Sequence, residues 1–66
     1  MSVAKVIEIT ATSSRSFQDA IESGIARASK TVEEIQGAWV KDQEVVIKSG
    51  KIVEYRVRMK VTFLLK

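Results

Sequence analysis

The residues of this sequence that are best suited to ligand chemistry are one tryptophan and a set of cations. Trp39 and Lys41 stand at alternate positions of one predicted strand. The next predicted strand carries three cations at alternate positions, Arg56, Arg58 and Lys60. Because side chains two residues apart on a strand point to the same face, both sets can share one surface and can receive a planar anionic ligand through stacking and charge-assisted hydrogen bonds. In the alternative interpretation, the charges form a solvated face and Trp39 fills a contact between subunits.

Residue types that usually carry catalysis are absent or isolated. The chain has no histidine and no cysteine, which removes the commonest general base and the thiol nucleophile. The spacing of the remaining residues places no pair of carboxylates and no activated serine together. The glycines Gly24, Gly37 and Gly50 lie too far apart to form a phosphate-binding loop. We therefore expect a protein without enzymatic activity.

One carboxylate, Asp42, is a weak candidate for a metal ligand. Its oxygens suit a hard cation such as Mg²⁺ or Ca²⁺. A single carboxylate is more often simply a solvated residue in a hairpin. Copies of Asp42 that converge around a symmetry axis of an oligomer would make a stronger site.

The first half of the chain predicts a strand followed by a helix. Residues 3–10 are rich in β-branched side chains and lead into a polar cluster, in which Ser13 or Ser14 is expected to cap the helix. The next segment has apolar or small residues at the spacing of one helical face. These are Phe17, Ala20, Ile21, Gly24, Ile25 and Ala28. Three of them are small and recur every four residues, which predicts close packing of the helix on a sheet.

The second half predicts a β-hairpin, reached through a connection at residues 31–36. Two runs, residues 37–47 and 52–65, flank a short loop in which Gly50 can adopt the positive φ of a tight turn. The second run alternates between apolar and polar side chains, so one face is expected to pack and the other to remain polar. The first run alternates less regularly, and a bulge near residues 42–44 would reconcile its two halves.

Size and composition predict a single domain, residues 1–66, that associates with copies of itself. A chain of 66 residues with 45% hydrophobic residues has too little interior to bury its apolar surface alone. It has no run approaching the roughly 20 apolar residues of a membrane span, and we expect a soluble cytoplasmic protein. The formal net charge of +3 is too small to indicate a nucleic-acid partner.

Four blocks of the sequence resemble successive blocks of the dodecin family, in order and almost without insertions. They are KVIEITATSSRSFQDAI, IARASKTVEEI, AWVKDQ and EYRVRMKVTFLL. The resemblance covers nearly the whole chain. It implies an α+β fold of the order β-α-β-β, with a three-stranded antiparallel sheet partly wrapping one helix. It also implies a spherical homododecamer, which would supply the burial that one subunit lacks.

The resemblance further implies a flavin site. In flavin-binding dodecins a tryptophan at the start of the second strand stacks on the isoalloxazine ring, and a glutamine in the third strand bonds its pyrimidine edge. Gly37 stands at the tryptophan position of this chain and Arg56 at the glutamine position. Trp39 follows Gly37 on the same face, Gln43 continues that alternation, and Asp42 falls where the family has a carboxylate near the ligand channel. The expected site for FMN, riboflavin or FAD consists of Gly37, Trp39, Gln43 and Arg56, with departures from the family pattern at positions 37 and 56.

The sequence thus predicts a homododecameric protein that stores or sequesters flavin. The alternative is a shell of the same fold that does not bind flavin in the usual way. Such a shell would hold another anionic ligand, a divalent cation or nothing.

Overall fold

The computed structural model describes residues 2–65, which form one helix and three strands. In chain order these are β1 (Ala4–Ser13), α1 (Phe17–Ala28), β2 (Ile35–Lys48) and β3 (Lys51–Leu64). The strands form one antiparallel sheet in the order β1-β3-β2, so that β3 lies in the centre. The predicted α+β fold with a β-α-β-β order is confirmed.

The core lies between α1 and the face of β3 that carries its odd-numbered residues. Val57, Met59 and Val61 are fully buried there, and Ala20 is the fully buried residue of α1. A Cβ atom added to Gly24 would lie 2.9 Å from Ala11 Cβ and 2.9 Å from Met59 Cε. The helix backbone therefore approaches the sheet more closely than any larger residue at position 24 would allow, as the small-residue spacing predicts.

The predicted helix cap is wrong, because β1 ends at Ser13, three residues later than expected. Ser13 is the last residue of β1 and pairs with β3, so its side chain is fixed by the sheet. The N-cap is Ser16, whose Oγ accepts a hydrogen bond from the Asp19 amide at 2.9 Å. Ser13 Oγ instead donates to Asp19 Oδ2 at 2.6 Å and accepts from the Arg15 amide at 2.9 Å. Ser13 thus ends β1, and Ser16 caps α1.

The β2–β3 hairpin has a two-residue turn. Ser49 and Gly50 have φ values of 53° and 73°, and positive φ at both positions is what a type I′ turn requires. The positive φ predicted for Gly50 is confirmed. Strand β2 begins two residues before its predicted start at residue 37, because Ile35 already pairs with Phe63 of β3.

A β-bulge in β2 decides which of its side chains share a face. Val40 pairs with Met59 and Asp42 pairs with Arg58, so Lys41 is the extra residue. The predicted bulge is confirmed, one residue earlier than expected. Before Lys41 the odd-numbered residues Gly37 and Trp39 pair with even-numbered residues of β3, whereas beyond it the even-numbered residues Asp42 and Glu44 do so. The extra residue therefore exchanges the faces of odd and even positions.

Candidate functional site

The side of the sheet opposite α1, here called the outer face, carries the candidate ligand residues. Residues directly opposite one another in an antiparallel pair share a face, so the even-numbered residues of β3 identify it. It includes Glu8 of β1, Gly37, Trp39, Asp42 and Glu44 of β2, and Arg56, Arg58, Lys60 and Thr62 of β3. Helix α1 packs on the other face, against β1 and β3. The outer face is therefore the polar side of a sheet whose opposite side forms the core.

Trp39 is the most exposed large hydrophobic side chain of this face. Its side chain pairs across the sheet with Lys60, and 68% of the residue is accessible to solvent. Lys60 Nζ lies over the indole ring, 5.6 Å from the ring centroid, in a cation–π contact. The prediction that Trp39 shares a face of the sheet with the cations of the next strand is confirmed.

The two arginines of the outer face are bound to carboxylates of β2. Arg58 donates from Nη1 to Asp42 Oδ1 at 2.9 Å and from Nη2 to Glu44 Oε1 at 3.0 Å. Arg56 Nη1 donates to the same oxygen of Glu44 at 3.3 Å. The hydrogen bonds that Arg58 donates, to Asp42 first and then to Glu44, raise the pKa of its guanidinium group above the ordinary value. Carboxylates thus balance the charge of two of the three neighbouring cations of β3, Arg56 and Arg58, and reduce the repulsion within the row.

The two lysines of the outer face differ in their partners. Lys41 Nζ lies 3.6 Å from Glu8 Oε1, an ion pair that reaches across the central strand to β1. Lys60 forms no ion pair with any residue of the described chain, and its ammonium group contacts Trp39 instead. The charge available to an external anion is therefore concentrated at Lys60.

Gly37 leaves open space beside Trp39 on the outer face. It pairs with Thr62, and a Cβ atom added to it would have no neighbour within 4 Å. The position at which the resemblance expects a stacking tryptophan thus has no side chain. Trp39 lies two residues, or about 7 Å, further along the strand.

Two of the predicted site residues are not adjacent to Trp39. Gln43 pairs with the buried Val57, so it lies on the helix side of the sheet, and the expectation that it continues the alternation of Trp39 is wrong. The cause is the extra residue Lys41, which inverts the alternation. Arg56 does lie on the outer face, but four residues along β3 from Lys60, a separation of about 13 Å.

Asp42 is brought onto the outer face by the same bulge. It lies close to Glu44, since both carboxylates bind Arg58. Within residues 2–65, however, no three side chains of the types that ligate metals come together. One subunit therefore offers at most this pair of carboxylates to a cation.

A groove of about 540 Å³ lies between α1 and β1, away from Trp39. Its lining includes Ile7 and Ile9 of β1, Gly24 and Ala28 of α1, and Arg27, whose Nη1 donates to Thr31 Oγ1 at 3.1 Å. The sequence did not predict this groove, because its depth depends on how the helix is placed relative to an edge strand. No helix of the described chain has the length and apolar content that a membrane crossing requires.

Comparison with known proteins identifies relatives of this chain along its full length. The family model for dodecin matches residues 3–66. The calcium dodecin of Mycobacterium tuberculosis is 35% identical over 66 residues, which cover all of this chain and 93% of the relative. The structure of the dodecin from Streptomyces davaonensis superimposes with a TM-score of 0.94 at 32% identity, covering 98% of this chain and 96% of that one.

The crystal structure of the Mycobacterium tuberculosis calcium dodecin, described as containing a novel calcium-binding site, is also similar. It gives a TM-score of 0.85 at 33% identity and covers 97% of this chain and 91% of that one. The sequence blocks, the β-α-β-β sheet and these relatives agree. The chain belongs to the dodecin family.

Proposed function

We propose that the chain is a cytoplasmic, homododecameric binding protein that holds a planar, flavin-like ligand on the outer face and stores or sequesters it without catalysis. One observation carries the proposal: Trp39 is 68% exposed, with a lysine ammonium group over its ring, on the side of the sheet that α1 does not cover. An exposed indole is a surface on which a flat aromatic ligand can stack. The membership in a family of small-ligand binders supports the same proposal.

Self-assembly is supported by how little the subunit buries. Among the described residues the buried hydrophobic side chains are Ala20, Val57, Met59 and Val61. The exposed large ones are Val3, Val6, Trp39, Ile47, Ile52, Val53 and Leu65. The described chain is also elongated, with extents of 51, 19 and 14 Å, so much of it lies far from any core of its own. Contacts with other copies would bury this apolar surface.

Light scattering coupled to size exclusion tests the assembly. We expect a mass near that of twelve chains. A stable monomer at micromolar concentration would contradict the proposed oligomer. As the sole tryptophan, Trp39 also reports on its own surroundings, and its emission should shift to the red if dissociation exposes it further.

Titration with flavins tests the ligand and its location. FMN or riboflavin that stacks on Trp39 should quench the tryptophan emission, and the flavin fluorescence should fall in parallel. Trp39→Phe keeps an aromatic ring but reduces its area, and we expect it to weaken flavin binding by about threefold, which corresponds to losing roughly 0.7 kcal/mol, about half of an aromatic stacking energy. Binding that is unchanged in Trp39→Phe would place the ligand elsewhere, with the groove between α1 and β1 as the next position to test.

A divalent cation is the second candidate ligand, favoured by the pair of carboxylates at Asp42 and Glu44 and by the 35% identity to a calcium dodecin. In this case Arg58 competes with the cation for the same carboxylates. Calorimetric titration with CaCl₂ should therefore show weaker binding for Asp42→Asn and tighter binding for Arg58→Gln. Glu22→Gln, on the exposed side of α1, is the matched control and should bind calcium as the wild type does. Equal heats for all four proteins would exclude Asp42 as a ligand.

A further inference from the structure

We propose that Lys60 is the residue that selects anionic over neutral ligands at Trp39, and that it does so by binding a phosphate or carboxylate carried by the stacked aromatic molecule. This inference rests on the proposed function, since it concerns a ligand on the outer face. It assigns the charge selectivity to one side chain. The other cations of the face are excluded by their contacts.

The two arginines of the outer face already form ion pairs with carboxylates of the same sheet. Arg58 donates to both Asp42 and Glu44, and Arg56 donates to Glu44. A cation whose charge is balanced by a carboxylate about 3 Å away exerts little net field on a third ion, because the opposite charge cancels most of it. An incoming anion would have to replace these carboxylates before it could use either guanidinium group.

Distance excludes Arg56 independently of its ion pair. It lies four residues along β3 from the residue opposite Trp39, a separation of about 13 Å. Lys41 is closer to Trp39, but its ammonium group is shared with Glu8 at 3.6 Å. Lys60 lies directly opposite Glu8 in the β1–β3 register, but the carboxylate of Glu8 pairs with Lys41. Among the described residues, Lys60 therefore combines proximity to the indole with an ammonium group that forms no ion pair.

Lys60 is also close enough to Trp39 for one ligand to contact both the ammonium group and the indole ring. Its Nζ lies 5.6 Å from the indole centroid, so a ligand that contacts the ring comes within reach of the flexible lysine side chain. The ammonium group has three donors and can exchange its contact with the ring for a shorter, charge-assisted hydrogen bond to an anionic oxygen. A neutral ligand offers no such replacement. The open space beside Gly37 leaves room for the body of the ligand next to the ring.

Parallel titrations of FMN and riboflavin test the assignment, because the two ligands share the ring system and differ by the phosphate. Flavin fluorescence reports binding for every variant. We expect the wild-type oligomer to bind FMN about tenfold more tightly than riboflavin, a charge-assisted contact of roughly 1.4 kcal/mol. The preference should decline as salt is added, since the contact is partly exposed.

Three substitutions separate Lys60 from the other cations. Lys60→Gln should reduce the preference for FMN to less than about twofold through weaker FMN binding, with riboflavin binding changed little. Lys60→Arg should retain the preference, since it preserves the charge. Arg56→Gln, which removes a paired cation of the same strand, should also retain it. Size exclusion should show the same oligomer for all of them.

The outcomes distinguish this inference from the proposed function. If both flavins bind and the preference is the same in Lys60→Gln as in the wild type, Lys60 is not the selecting residue, although the outer face still binds flavin. If Arg56→Gln abolishes the preference and Lys60→Gln does not, the selectivity belongs to the arginines. If neither flavin binds the wild type, the proposed function fails and the assignment to Lys60 fails with it.

Discussion

The two faces of strand β3 differ completely although their residues alternate along one backbone. On the helix side, Val57, Met59 and Val61 are fully buried. On the outer face, Arg56, Arg58 and Lys60 are accessible and bind carboxylates or an indole ring. The period of two in a strand lets adjacent positions have independent roles. Stability should therefore depend mainly on one set of residues and ligand chemistry on the other.

The largest effect is expected from Met59→Ala on the helix side. The substitution removes a fully buried side chain that packs against α1, and such changes cost about 2–5 kcal/mol. Urea unfolding at one fixed protein concentration measures the loss, since the stability of an oligomer depends on concentration. Thr62→Ala on the outer face of the same strand is the control. Equal losses for the two variants would remove the distinction between the faces.

A smaller effect is expected from Gly24→Ala, which tests the close approach of α1 to the sheet. The new Cβ would lie 2.9 Å from Ala11 Cβ, which is fixed to the backbone and cannot rotate away. Overpacking costs about 1–3 kcal/mol and outweighs a gain of about 1 kcal/mol in helix propensity, so we expect a net loss of about 1 kcal/mol. Gly37→Ala on the outer face meets open space and should leave stability unchanged or slightly higher. A stabilised Gly24→Ala would show that the helix can move.

The junction between β1 and α1 should make stability sensitive to acid. The hydrogen bond from Ser13, and then that from Arg15, lowers the pKa of Asp19 below its ordinary value. A carboxyl group whose pKa is lower in the folded than in the unfolded state contributes stability above the unfolded pKa, and this contribution is lost as the pH falls through the folded pKa. Urea unfolding should show a wild-type advantage over Asp19→Asn that is larger at pH 7 than at pH 3. An advantage independent of pH would contradict the role of the Asp19 charge.

The smallest effect on stability is expected from Arg56→Gln. Its single ion pair with Glu44 is long, at 3.3 Å, and both side chains are partly exposed, with accessibilities of 34% and 45%. Pairs of this kind contribute little, so we expect a change of less than about 0.5 kcal/mol in urea unfolding. Added salt should reduce the difference further. A loss comparable to that of Met59→Ala would mean that the outer face also holds the fold together.

Much of the fold could be predicted because buried residues recur in the sequence at the spacing of a strand or a helix. The alternation that includes Val57, Met59 and Val61 identified β3, and small residues such as Gly24 identified the packed side of α1. The helix cap could not be predicted, because several serines are close together and each could cap a helix. Which one does so depends on where β1 stops pairing with β3, and that is a contact between distant segments.

The site was predictable in composition but not in its pairings. The sequence indicated that Trp39 and the cations of β3 share a face. It could not show that Lys41 is the extra residue of the bulge, which moves Asp42 onto that face and Gln43 away from it. Nor could it show that Glu8 reaches Lys41 across the central strand, because β1 and β2 are not neighbours in the sheet.

The irregular register of β2 also bears on aggregation. This strand forms an edge of the sheet, and an edge strand exposes backbone groups that can pair with strands of other chains. The pairing of β2 with β3 shifts between Ile35 and Gly37, between Val40 and Asp42, and between Val46 and Ile47. A foreign strand would need a long regular ladder to bind here, and the longest stretch without a shift covers only residues 42–46. The bulge that arranges the outer face thus also protects this edge against uncontrolled growth of the sheet.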